Sequence, residues 1–255
     1  MLGPLRAGAR LLAIGLWTSW IALDLTAGAL TAKLWPTFGL PWYRAVPGRW
    51  SRVCLWISGV HVEAYGTPPT RPFFLVSNHL SYVDIWVLHS QVVGCFLAKQ
   101  EVSGWPGIGI LAKGAGTVFV DREARRDLMR AGTALGDTLA RGDGVIVFPE
   151  GTSTDGTDVQ PFKASLFQVA VDAGLAVRTA SLRYETTGDD EPASQVVSWW
   201  GEIDFVPHVL RLMQLKRIHA TVRFQEAALE NTDRKVLAEQ ARQAILADWD
   251  PQASA

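Results

Sequence analysis

The chain has only two cysteines, Cys54 and Cys95, and neither stands in a C-x-x-C pair or another metal-ligand spacing. That excludes a disulfide-stapled scaffold and leaves two thiols expected to be buried in a reducing compartment. Charge is scarce too, at 19% of residues against 48% apolar, which excludes a disordered segment. Internal repeats and low-complexity tracts are missing. A serine hydrolase elbow is missing as well, because Gly151-Thr152-Ser153-Thr154-Asp155 ends in Asp where G-x-S-x-G needs glycine. Gly107-Ile108-Gly109-Ile110-Leu111-Ala112 has glycines like those of a dinucleotide loop, but it follows Trp105-Pro106 rather than a strand. His61, His89, His208 and His219 have no ligand spacing and read as surface or packing residues.

What is present is unevenly spread. The first sixty residues hold six basic groups (Arg6, Arg10, Lys33, Arg44, Arg49, Arg52) and one acid, Asp24. They also hold six of the eleven tryptophans: Trp17, Trp20, Trp35, Trp42, Trp50 and Trp56. Basic groups interleaved with indoles suit a membrane–water interface, since indole is apolar yet carries a donor. The adjoining apolar stretch, Leu11 to Ala32 with Asp24 as its one charge, argues against nucleic acid as the partner. As a helix that stretch would be about 33 Å long, close to the hydrocarbon thickness of a bilayer. It could span the bilayer or lie in the interface. It could also be a cleaved leader, given Arg6 and Arg10 ahead of it and Ala27-Gly28-Ala29 near its end. The basic and aromatic flank from Lys33 to Trp56 favours an anchor; if the stretch spans, the four basic residues from Lys33 to Arg52 favour placing the following domain on the cytoplasmic face of the inner (plasma) membrane.

Pro36, Pro41 and Pro47 predict a broken linker after this segment. Beyond it, short apolar runs alternate with helical patterns. Val60–Tyr65, Phe73–Val76, Gly94–Ala98, Thr117–Val120, Val145–Phe148, Val177–Leu182, Val196–Trp199 and Ile218–Phe224 read as strands. Ser81–His89, Glu123–Leu139, Ala164–Ala173, Val206–Leu215 and Arg234–Ala247 read as helices. The fold class is therefore α/β, a mainly buried sheet flanked by helices, with an N-terminal membrane-associated helical segment. Residues 1–50 are expected to form the anchor and 51–250 the catalytic domain.

Three polar clusters follow predicted strands. In Ser77-Asn78-His79-Leu80-Ser81-Tyr82-Val83-Asp84, the carboxylate falls five residues after the histidine, about one helical turn into the next element. From there it can hold one imidazole nitrogen, fix the tautomer and leave the other nitrogen to a hydroxyl. This dyad brings no serine of its own, so the hydroxyl must belong to the substrate. In Gly116-Thr117-Val118-Phe119-Val120-Asp121-Arg122, Arg122 can offer a planar fork to a phosphate. In Phe148-Pro149-Glu150-Gly151-Thr152-Ser153 the glycine lets backbone amides approach a ligand, and Lys163 lies downstream. Each cluster alone also fits an ordinary capped loop. Together they lie at the ends of strands, the edge where open α/β sheets bind ligands.

Taken in order, Asn78-His79 with Asp84, the block from Gly116 to Arg122, and Phe148-Pro149-Glu150-Gly151-Thr152 resemble the signature blocks of glycerolipid acyltransferases, most closely the 1-acyl-glycerol-3-phosphate acyltransferase type. Lys99 in Phe96-Leu97-Ala98-Lys99 and the Phe162-Lys163 pair look similar to family features, and the resemblance runs from about residue 50 to 225. It implies His79 as general base, Asp84 as its orienter, and acceptor contacts from Arg122 and the Glu150, Gly151, Thr152 loop. Asn78, Lys99 and Lys163 would support substrate binding. It implies an acyl-CoA or acyl-ACP donor, a lysolipid acceptor at the bilayer, and no metal or bound cofactor. Two departures bear on the acceptor. Ser153 stands where the family commonly has arginine after Glu-Gly-Thr, and Val177-Arg178-Thr179-Ala180 lacks the proline of the fourth block. Should Lys163 or Arg178 supply the missing charge, lysophosphatidic acid is the expected acceptor; otherwise a lyso-ornithine lipid or a lysophospholipid with a larger head group is. The reading of another class is a lipid carrier or scaffold that keeps the fold without turnover, against which the intact His79–Asp84 pair speaks.

Overall fold

The computed structural model describes residues 2–105, 108–121, 125–187 and 191–248. Two long helices come first, α1 (Leu2–Leu34) and α2 (Pro36–Ser58). The expected broken linker is in fact α2, with Pro41 and Pro47 inside it. Pro36 stands at the helix start, where its missing N–H costs no helical bond. The two interior prolines each give up a bond, and packing offsets that loss. Gly39 lies so close to α1 that a Cβ there would come 2.1 Å from the Ala32 nitrogen. Farther along α2, Cys54 and Leu55 join the main core, so the expected boundary at residue 50 falls within one continuous helix.

The lone acid of α1 is paired across this hairpin: Asp24 takes a hydrogen bond from Trp42 Nε1 at 2.8 Å and an ion pair from Arg49. Trp50 Nε1 donates to Thr18 Oγ1 at 3.1 Å. At the start of α1, Arg6 donates to the Gln214 carbonyl at 2.7 Å and Arg10 to those of Met213 and Leu215 at 3.1 and 2.6 Å. Farther along α1, Leu25 fills the space beside Gly114. Residues about 29 Å apart on one helix thus both rest on the rest of the chain, and α1 lies along it instead of projecting away. The opposite side of α1 exposes Leu5, Leu12, Leu16, Trp20, Leu23 and Leu30.

The remaining elements are β1 (Val60–Tyr65), β2 (Phe73–Ser77), α3 (Val83–Gln91), β3 (Gly94–Lys99), α4 (Ile108–Gly114), β4 (Val118–Val120), α5 (Arg125–Ala140) and β5 (Gly144–Val147). Then come α6 (Gln168–Asp172), β6 (Val177–Thr186), α7 (Ala193–Val196), α8 (Phe205–Leu212), β7 (Ile218–Phe224) and α9 (Arg234–Ala247). They form one seven-stranded sheet in the order β1-β7-β6-β2-β5-β3-β4, parallel except where β6 meets β7. Every residue of β2 and β5 is buried, as a parallel sheet covered on both faces requires. Alternate residues feed two cores. Leu75, Phe96, Ile146 and Leu182 pack with α2 and α3, while Phe74, Val76, Val145 and Val147 pack with α5, α6 and α9.

The expected strand at Val196–Trp199 does not form. The amides of Val197 and Ser198 turn back to the Ala193 carbonyl, closing α7, and β7 already occupies the edge of β6.

Candidate active site

β2 and β5 lie side by side and parallel, so the loops that follow them leave the same edge of the sheet. The way β2 ends sets the site. Its last pair is Ser77 with Ala180, and the next residue, Asn78, continues the pairing with its side chain. Asn78 Nδ2 donates to the Leu182 carbonyl at 2.9 Å and its Oδ1 accepts from the Leu182 amide at 2.7 Å. With one donor and one acceptor given to β6, the Asn78 side chain supports the loop.

The chain then turns into α3 and brings Asp84 back over its own loop. Asp84 Oδ2 accepts from His79 Nδ1 at 2.7 Å, from the Leu80 amide at 2.7 Å and from the Ser81 amide at 3.0 Å. Its other oxygen accepts from the Tyr184 hydroxyl at 2.6 Å. The five-residue spacing thus lets one carboxylate hold both the turn and the ring. Asp84 is fully buried, and with four donors around it the charge is hydrogen-bonded on every side. The His79 ring stacks on Phe148 with centroids 4.0 Å apart, and Phe148 stacks on Phe96. The His79 side chain keeps 21% of its surface exposed, and among the described residues none bonds its Nε2. That nitrogen is the one placed to take a proton.

The loop after β5 grips the histidine's backbone from both directions. Glu150 Oε1 accepts from the His79 amide at 2.6 Å, and the His79 carbonyl accepts from the Thr154 amide at 2.9 Å. Glu150 Oε2 accepts from the Gln160 amide at 2.9 Å. With one backbone amide on each oxygen, Glu150 holds the His79 loop to the loop after β5. Gly151 adopts a left-handed φ of 79°, and a Cβ there would come 2.3 Å from Lys163 Nζ, so the position suits glycine on both counts. The Lys163 ammonium therefore crosses the Gly151 backbone, with the exposed Thr152 next in the chain. Ser153 donates to the Trp199 carbonyl, and the Trp199 amide donates to the Leu80 carbonyl at 2.8 Å. One strap thus ties both loops.

Lys99 ends β3, exposed and two strands from β2. Arg122 lies outside the described residues. Arg178 does not reach the site. It pairs in register with Leu75, below the catalytic edge, and its guanidinium serves the Gln225 and Glu226 carbonyls. The sequence carries no sign of the parts played by Tyr184 and Trp199, and shows Phe148 only as the start of the third block, not as the ring under His79. His89 is the packing residue expected: burial pushes it down to about 4, and it meets Phe96 edge-on.

Burial pushes the Glu150 carboxyl up to about 7, against the pull of its two amide donors. A folded-state value above the unfolded one means the folded protein binds more protons between the two. The associated stability is full below about pH 4.5, falls as pH rises to about 7, and is flat above. His89 acts oppositely, losing stability as pH falls toward 4. The clean readout is therefore the difference in urea unfolding free energy between the wild type and Glu150→Gln, which cancels His89. That difference should shrink by up to about 3 kcal/mol between pH 4.5 and 7. A difference constant across that range would mean Glu150 keeps an ordinary carboxyl value.

A family profile described as Acyltransferase matches residues 60–183. A 1-acyl-sn-glycerol-3-phosphate acyltransferase of Neisseria gonorrhoeae is 34% identical over 192 residues, covering 74% of this chain and 74% of that protein. A lyso-ornithine lipid O-acyltransferase of Brucella abortus is 34% identical over 210 residues, covering 77% and 79%. The crystal structure of the 1-acyl-sn-glycerophosphate acyltransferase PlsC from Thermotoga maritima superposes with a TM-score of 0.65 at 20% identity, covering 94% of this chain and 97% of that one, a likeness of fold.

Proposed function

This chain belongs to the acyltransferase family and is an O-acyltransferase of lysolipids, and on that premise we propose that it acylates 1-acyl-glycerol-3-phosphate from an acyl thioester with the His79–Asp84 dyad as its base. The observation that carries the mechanism is the 2.7 Å contact of His79 Nδ1 with a buried carboxylate that leaves Nε2 open. Nε2 takes the proton of the acceptor hydroxyl as that oxygen attacks the thioester carbonyl. The tetrahedral adduct collapses, the C–S bond breaks, and the imidazolium returns the proton to the leaving thiolate. Asp84 stabilises the imidazolium while it exists. The donor is acyl-CoA or acyl-ACP, and the enzyme sits on the cytoplasmic face of the membrane. The exposed apolar side of α1 supports attachment, and its latch at Arg6 and Arg10 favours a retained helix lying in the interface over a spanning or cleaved one.

A lyso-ornithine lipid is the second reading, favoured by the Brucella abortus relative at equal identity and by Ser153 in place of arginine. Ser153 is occupied with the Trp199 strap and Arg178 with the Gln225 and Glu226 carbonyls, so the missing charge is assigned to Lys163 at Gly151, in addition to Arg122. Wild-type enzyme offered lysophosphatidic acid and lyso-ornithine lipid together should favour the first. Lys163→Gln should lower that preference by roughly tenfold or more, the worth of a charge-assisted hydrogen bond. A wild type that prefers the ornithine lipid, with a ranking untouched by Lys163→Gln, would shift the assignment to the second reading.

A further inference from the structure

α8 is apolar on two sides. Its inner side, with His208 and Leu212, is buried, yet Val206 and Leu210 on the other side are 64% and 43% exposed. Trp200 and Ile203, just before the helix, are 42% and 37% exposed. The exposed part of its apolar stripe lies away from the polar side that carries Arg211, and an exposed run of this kind marks an interaction surface. The occupant is indicated by what adjoins it. Gln214, one turn beyond Leu210, donates to the Leu210 carbonyl at 3.1 Å, accepts Arg6 on its own carbonyl, and packs against Gly3 of α1. Leu2 and Leu5, beside that joint, are among the most exposed leucines of α1. The patch thus continues the apolar side of α1. Charge does not make the case, since the exposed Glu202 and Asp204 offset Lys216 and Arg217.

We infer that the segment from Trp200 to Leu210 is a second bilayer contact, entering the acyl region beside α1 and bringing the lipid interface to the mouth of the active site. This rests on the membrane reading above. The connection to the site is short: residue 199, next in the chain, is bonded to Leu80 of the catalytic turn and to Ser153 of the loop after β5. A lysolipid can then reach His79 with its acyl chain still in the bilayer.

The test uses the full-length protein and vesicles of phosphatidylcholine with phosphatidylglycerol. Val206→Cys can be labelled selectively with an environment-sensitive fluorophore, because Cys54 and Cys95 are buried. On vesicles the label should shift to the blue and be quenched by lipids carrying a nitroxide on the acyl chain. Leu210→Glu should lower turnover of vesicle-borne lysolipid by about tenfold, the effect of losing one buried leucine, while turnover of detergent-dispersed lysolipid is unchanged. Leu16→Glu on α1, by contrast, should release the protein from vesicles. An unquenched label on protein that still floats with vesicles overturns the inference and leaves the α1 anchor standing. Loss of flotation by the wild type overturns the membrane reading itself. Concentration-dependent dimers that Leu210→Glu abolishes would assign the patch to a second copy. If Leu210→Glu fails to fold, seen as lost turnover in detergent, the label still decides.

Discussion

Replacing His79 with Ala should lower turnover by about 10²–10⁴-fold, the usual share of a general base, while lysolipid binding survives. The structure explains why these effects separate. The loop at residue 79 is held through its backbone, with the amide on Glu150 and the carbonyl on the Thr154 amide. Neither bond involves the imidazole, so truncation leaves the clamp in place. The ring's other contributions are its stack on Phe148 and its bond to Asp84, which in the variant still accepts from the amides of Leu80 and Ser81 and from the Tyr184 hydroxyl. Purified His79→Ala should therefore remain folded, less stable by about 1.5–3 kcal/mol for the bond to the buried carboxylate, and still co-sediment with lysolipid micelles. The measurement is turnover with acyl-CoA, or acyl-ACP, against lysolipid, with binding followed separately. Near-normal turnover in the folded variant would remove His79 from the reaction.

The dyad was legible in the sequence because its geometry is local: five residues, one strand end and one helix start settle where Asp84 goes. Glu150 and Asn78 also stand out in the sequence, but the partners that hold them are not legible there. Each role depends on a partner brought in by the sheet order, with β2 lying between β6 and β5. No periodicity shows that Leu182 will lie beside Asn78, or that the His79 amide will reach Glu150. Tyr184 was missed for the same reason, since it reaches Asp84 from a strand far along the chain. The alternation of strands and helices predicted the layers well, because continuous apolar runs such as Phe73–Val76 and Val145–Phe148 suit a sheet buried on both faces. α2 was misread because proline propensity is a local quantity, whereas the close approach at Gly39 and the burial of Cys54 and Leu55 are not.

Asp84 is the position where side-chain chemistry should separate folding from catalysis. Asp84→Ala leaves four donors without an acceptor: His79 Nδ1, the amides of Leu80 and Ser81, and the Tyr184 hydroxyl. An unpaired buried polar group costs about 1–3 kcal/mol, so together they approach the whole stability of a typical domain, roughly 5–15 kcal/mol. Asp84→Ala should express poorly or unfold at ordinary temperature. Asp84→Asn has a way out. Its amide oxygen can take the place of Oδ2 and accept the same three N–H groups. Its NH2 then faces Tyr184, whose hydroxyl can turn from donor to acceptor. The three N–H groups and the Tyr184 oxygen stay paired, whereas the Tyr184 O–H and the second Asn N–H lose their partners, so the variant should lose about 2–6 kcal/mol, half the cost of Asp84→Ala. What it lacks is the negative charge that stabilises the imidazolium, so turnover should fall, by about 10–10³-fold, with binding retained. In Tyr184→Phe the carboxylate keeps its charge but loses one donor, and the effect should be smaller than that of Asn. The Tyr184 hydroxyl should also contribute less in the Asn background, where its bond is no longer to a charge, which a double-mutant cycle reads directly. Wild-type turnover in Asp84→Asn would mean the charge is not used, and an Asp84→Ala protein as stable as Asp84→Asn would mean the four bonds do not hold the turn.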